Sequence, residues 1–146
     1  MWNSNRFTIL ISFNISMDLY ERSLRYLIIS KTALEKSFYD VSSTNCAISA
    51  ELMIRSVYSL IRKDPPYYSF HNIRKILSSL SFHIPSFEGE IRKIIRENRK
   101  EFIIVENSRN LGQYSDITKE DAEICINTVE NKLLPLIKRI RENILS

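Results

Sequence analysis

With two glycines and four prolines in 146 residues, this chain has too few turn-forming positions for the closely spaced reversals of a β-sandwich or barrel. Helices joined by a handful of connections are the expectation. Hydrophobic residues supply 44% of the sequence, enough at this length to bury one core without metals or disulfides. Cys46 and Cys125 lie in helical patterns beside small or aliphatic neighbours, and no Cys-x-x-Cys spacing suits zinc. They read as packed, reduced thiols of a cytoplasmic protein rather than as a disulfide. The net charge of +4 permits an anionic partner but falls short of what a dedicated nucleic-acid binder carries.

The first residues differ from the rest. FTILISF, Phe7 to Phe13, is too short for a membrane span, and only Arg6 offers a positive flank for a signal peptide, without a cleavage site. No membrane association is expected. Phe7, Ile9, Ile11 and Phe13 alternate as in a strand, so residues 1–16 are expected to form a short β-segment, an apolar arm packed on a partner, or a tail ahead of a domain that begins at Met17.

From Asp18 the pattern turns helical. Asp18 and Glu21 have capping-box spacing and open an amphipathic run through Leu24, Leu27, Ile28, Leu34 and Phe38, a helix over roughly 18–39. A break is expected in DVSSTN, with Ser42 or Ser43 capping a second helix that carries Ala47, Ala50, Ile54, Val57 and Ile61 and stops at Asp64-Pro65-Pro66. A shorter third helix has Ile73, Ile76, Leu77 and Leu80 at helical spacing until HIPS, and a fourth, over roughly 87–105, uses Ile91, Ile94, Ile95 and Phe102. Thr118, with Asp121 three residues on, caps the last and longest helix. Its inward stripe is Ala122, Cys125, Val129, Leu133, Leu136, Ile140 and Ile144, and Pro135 is expected to kink it. The fold expected is all-α, an antiparallel up-and-down bundle of about five helices in a domain over residues 17–146.

Four stretches carry candidate chemistry. In SRNLGQYSDITKEDAE, Ser108 to Glu123, an Arg-Asn pair, a Gly and a Tyr stand where a loop tips into the last helix. Arg109 there can bind a phosphate bidentately, or it can cap the end of the fourth helix or pair with Glu106. Glu51 and Arg55 are spaced i, i+4, which makes either an exposed ion pair or, beside Ala47 and Ala50, a charged pair at a close helix contact. Arg92, Lys93, Arg96, Arg99 and Lys100 gather opposite Ile91, Ile94, Ile95 and Phe102, a basic face able to guide RNA toward Arg109. Glu90, Glu97 and Glu101 dilute that face as on an ordinary solvated helix. Tyr67, Tyr68 and Phe70 in PPYYSF can stack on a base or tuck against the core. No Gly-rich phosphate loop and no metal-ligand cluster is present, so neither a cofactor nor a metal is expected.

The order of these elements, with NCAISAELMIRSVYSLI in the second helix, SFHNIRKILSSL in the third, SRNLGQY in the loop and TKEDAEICINTVENKL in the last, resembles a HEPN domain over about Met17 to Ile144. Ser49, Ala50, Glu51 and Arg55 stand where that family has a small-residue, Gln and Ala run, a Glu and a Lys. His71 stands at its His near the start of the third helix, with Asn72 following where Asp is common. The resemblance implies a helical bundle that usually dimerises, often encoded beside a minimal nucleotidyltransferase in toxin–antitoxin pairs. It also implies that members with an Arg, commonly an Asn after it, and then a His in the loop are metal-independent ribonucleases. Here Arg109 and Asn110 match, but Tyr114 occupies the His position.

Cleaving RNA without a metal needs a base for the ribose 2′-hydroxyl and a cation for the phosphate. With a reference pKa of about 10, about one tyrosine in a thousand is ionised at neutral pH, whereas histidine, near 6.5, is largely unprotonated. The expectation is therefore a noncatalytic dimer that binds a nucleotide, RNA or a partner nucleotidyltransferase, through Arg109, Asn110, Glu51, Arg55 and His71. The alternative is an active metal-independent endoribonuclease toxin with a rearranged site, using Arg109, Tyr114 and either His71 or His83. A structural adaptor is the third reading.

Overall fold

The structure, a computed structural model, describes residues 4–66, 72–111 and 116–146. Its regular elements are all helical: α1 (Ser4–Glu35), α2 (Tyr39–Leu60), α3 (Ile73–His83), α4 (Glu88–Glu97), α5 (Arg99–Leu111), α6 (Lys119–Thr128) and α7 (Leu134–Leu145). The expected all-α bundle is present, and its breaks fall in different places from those expected.

α1 starts at Ser4 rather than Asp18, so the alternating Phe7, Ile9, Ile11 and Phe13 lie on a helix and not on a strand. A longer pattern, from Ser16 onward, governs how α1 packs. Ser16, Ser23 and Ser30 recur at every seventh position of α1, and Ser42, Ser49 and Ser56 do the same on α2, and each is fully buried. Ser16 Oγ donates to the Ser56 carbonyl (2.6 Å), Ser49 Oγ to that of Ser23 (2.7 Å), and Ser30 and Ser42 exchange such bonds (2.6 and 2.8 Å). A hydroxyl on one carbon reaches the facing backbone only when two helices nearly touch, so the serines act as small spacers in an antiparallel pair. Arg141 of α7, itself buried, closes one end of this seam. It donates to Ser16 Oγ and to the Ser56 carbonyl (3.4 Å), and its guanidinium lies 4.5 Å over the Tyr20 ring. Burial pulls the Arg141 guanidinium below its ordinary value, against the opposing effect of Tyr20.

The break between the first two helices lies at residues 36–38, ahead of DVSSTN, which is inside α2. Ser37 takes a left-handed conformation (φ 62°) while the Phe38 N–H bonds to the Ala33 carbonyl (2.9 Å) and the Ser37 N–H to that of Leu34 (3.0 Å). α2 ends the same way, with Arg62 left-handed (φ 58°) and the Lys63 N–H on the Tyr58 carbonyl (3.0 Å). This six-to-one closure usually places glycine at the left-handed position, and here the chain manages without it.

α2 is the central helix, packed against α1, α3, α5, α6 and α7. Met53, Ile54 and Val57 meet Ile76, Leu77 and Leu80 of α3, Phe102 and Val105 of α5, and Leu133, Leu136 and Ile140 of the C-terminal helices in one core. Cys46 and Cys125 are free thiols inside it, and burial, with Cys125 alongside, pushes the Cys46 thiol well above its ordinary value.

Two expected helices are each divided. Asn98 separates α4 from α5: its backbone leaves the helical region (φ −121°, ψ 29°), and its side-chain amide bonds the Ile94 carbonyl (2.9 Å) alongside its own N–H (3.1 Å). In the last helix Thr118 caps as expected, its hydroxyl accepting the Asp121 N–H (3.1 Å). Instead of a simple kink at Pro135, Val129–Leu133 forms a π-turn, in which the Leu134 N–H reaches back to the Val129 carbonyl. The widened turn makes room for a proline ring that would strike the carbonyl one turn back in a regular helix.

Candidate functional site

Asn72 opens α3 by accepting the Lys75 N–H on its side chain (3.0 Å), which sets Arg74 in the first turn. From there Arg74 reaches Glu106 of α5 with three donors: its backbone N–H (3.1 Å), Nε (2.9 Å) and Nη2 (3.0 Å). Glu106 is 7% exposed, and its hydrogen bonds raise the Arg74 guanidinium above its ordinary value despite partial burial. Arg74 therefore takes the carboxylate that sequence reasoning offered to Arg109. Arg74 did not stand out in the sequence and Glu106 did so only as a partner for Arg109, since 32 positions separate the pair and only folding brings them together.

Arg109 lies in the last turn of α5 and not in a loop. Its charge suits the negative end of the helix dipole, but it forms no ion pair among the described residues, and its Nε is buried without a hydrogen-bond partner. Thr44 of α2 donates to the adjacent Ser108 carbonyl (3.4 Å), which ties this end of α5 to α2. Asn110 continues the helix, though its side chain lies outside the described residues. So do His71 and Tyr114, and so do Tyr67, Tyr68 and Phe70. Glu51 and Arg55 lie along α2, Glu51 buried and Arg55 half-buried, with 3.5 Å between Arg55 Nη2 and Glu51 Oε1. The pair is therefore at a helix contact and not on an exposed face, and its separation is long for a strong hydrogen bond.

The basic residues of α4 and α5 do not form one face. Arg92, Arg96 and Arg99, at i, i+4 and i+7, turn toward α3, where with Asn72, Arg74, Lys75, Ser78 and Ile95 they line an open groove of about 590 Å³. Lys93 lies on another side with Glu90 and Glu97, where Glu90 pairs with Arg139 of α7 (2.7 Å), and Lys100 lines neither surface. The diluting carboxylates are thus sorted away from the groove.

Among protein families, the HEPN domain model matches residues 16–140. The chain belongs to the HEPN domain family. No curated protein and no solved structure matches it. Membership makes this HEPN chain a nucleotide- or RNA-related helical module in general terms, and HEPN domains commonly dimerise. Among the described residues no helix is long and apolar enough to cross a membrane, and no three His, Cys, Asp or Glu side chains gather to hold a metal. His83, the second histidine considered for a rearranged site, ends α3 and stacks edge-on against Tyr58 at 6.1 Å. Along α3 it stands about 13–14 Å from Arg74 in the first turn.

Proposed function

We propose that this HEPN domain is a dimeric module that binds RNA or a nucleotide by its phosphates and does not cleave it. The observation that carries the reading is Arg109, a half-buried arginine in the last turn of α5 that forms no ion pair among the described residues, while Glu106, the partner offered to it by sequence, is held by Arg74. Because Arg109 is only half-buried, part of its side chain stays open to an anion, which its charge would attract. Cleavage would also need a base near the 2′-hydroxyl, and Tyr114 stands where the family's ribonucleases have histidine. A minimal nucleotidyltransferase encoded alongside, as in toxin–antitoxin pairs, is the expected genetic setting.

Arg109→Ala is expected to weaken binding of a labelled oligouridylate about tenfold, by fluorescence anisotropy, with the difference shrinking at high salt. Wild-type protein in chelator should leave the oligomer intact, and Tyr114→His should introduce cleavage that Arg109→Ala removes. Efficient wild-type cleavage lost in His71→Ala would replace this reading with that of an active ribonuclease.

Dimerisation draws support from α1, whose Ile9, Leu10 and Ile11 are 51%, 50% and 41% exposed on a helix that continues past the end of α2. Such surface is a liability on a monomer. Light scattering at micromolar concentration should give a dimer, weakened by Ile9→Ser with Ile11→Ser, and a monomeric wild type refutes the proposal.

A further inference from the structure

Five cations line the groove that α3 forms with α4 and the start of α5, called the α3–α4 groove below, and no carboxylate does. Arg74 is held by Glu106 and Arg92 by Glu88 (2.9 Å), whereas Lys75, Arg96 and Arg99 form no ion pair among the described residues. Cations brought together without counter-charges repel one another, and a polyanion relieves that repulsion while releasing its own counterions. At the Arg92 end stands Phe82, 71% exposed, more than any other large apolar side chain described. The Arg92 guanidinium lies 6.0 Å from the ring centroid, at the outer limit of a cation–π contact, so most of the ring stays in water. An aromatic face beside a cationic track suits an unpaired base followed by its phosphates. From Arg92 to Arg99 the helices rise about 10 Å, more than one phosphate needs. A paired base in a duplex is not free to lie on Phe82, which excludes double-stranded ligands.

We infer that the α3–α4 groove is the track of a single-stranded polynucleotide, with phosphates on Lys75, Arg96 and Arg99 and a base stacked on Phe82. This rests on the RNA-binding reading above and adds the path of the strand and the base contact.

The test uses the full-length protein and labelled oligouridylate, oligodeoxythymidylate and an abasic ribose-phosphate oligomer, with tripolyphosphate as competitor. Arg96→Ala with Arg99→Ala should weaken oligouridylate binding by roughly tenfold or more and make the salt dependence shallower by about 1.4 log units per log unit of salt. Phe82→Ala should lose about tenfold on oligouridylate and nothing on the abasic oligomer, while Phe82→Tyr keeps the wild-type affinity. Equal loss on oligodeoxythymidylate supports the same track, because stacking does not read the sugar. The side chains changed are exposed, and circular dichroism checks that the helices persist. If the groove variants bind like wild type while Arg109→Ala does not, the track is wrong and the phosphate role of Arg109 stands. If Phe82→Ala is silent and tripolyphosphate competes as well as the oligomer, the groove is a simple anion site and the inference fails.

Discussion

Replacing Ser49 by leucine is expected to destabilise the protein by about 3 kcal/mol, whereas Ser49→Ala should cost only about 1 kcal/mol. The alanine variant loses one buried hydrogen bond, from Ser49 Oγ to the Ser23 carbonyl, and leaves the two backbones where they are. The leucine variant must place a branched side chain in a position that is fully buried between two helices held by one-carbon spacers. The helices must move apart, and the bonds at the neighbouring Ser16–Ser56 and Ser30–Ser42 contacts go with them. Denaturant unfolding followed by far-ultraviolet circular dichroism measures both variants. A leucine variant as stable as the alanine one would mean that α1 and α2 are not in close contact.

Arg74→Ala is expected to cost about 3 kcal/mol, the low end of what breaking a buried ion pair costs. Glu106 stays buried and keeps only the backbone N–H of residue 74 out of three donors. Arg74 is more accessible, with 27% of its side chain exposed against 9% for Glu106, so Glu106→Ala should cost less. Replacing both by apolar residues, Arg74→Met with Glu106→Leu, should recover most of the loss, because the penalty belongs to the stranded charge. A double-mutant cycle reads the coupling. A cost below about 1 kcal/mol for Arg74→Ala would show that water reaches Glu106 freely.

Helical periodicity was legible, and so was the Thr118 cap, because both depend on neighbours in sequence. Helix ends at Ser37 and Arg62 were not, because a left-handed residue announces itself through glycine and these two are not glycine. The strand-like alternation of Phe7 to Phe13 covers a few positions, while the serine repeat that sets α1 against α2 spans both helices and consists of residues usually read as polar surface. Along α4 and the start of α5 the spacing of Arg92, Arg96 and Arg99 already separates them from Lys93 and Lys100, so the groove's cationic side could have been found by position on the helices. Its other side could not, since Arg74 and Lys75 come from a different helix. Phe82 differs from other apolar residues near helix ends only in its exposure, which the sequence does not carry.

The serine repeat has a further consequence for how the chain finds its native pairing. Sliding α1 along α2 by one heptad again sets serine against serine, Ser23 facing Ser56 and Ser30 facing Ser49, so the repeat is degenerate and does not choose its own alignment. Two other features remove the ambiguity. The connection at residues 36–38 is closed by its own backbone bonds and has no slack for a slip of two helical turns. Arg141 engages only the Ser16–Ser56 contact, so just one alignment gives its buried charge those acceptors. A relative with a longer connection there would lose the first safeguard and depend on one arginine for its register.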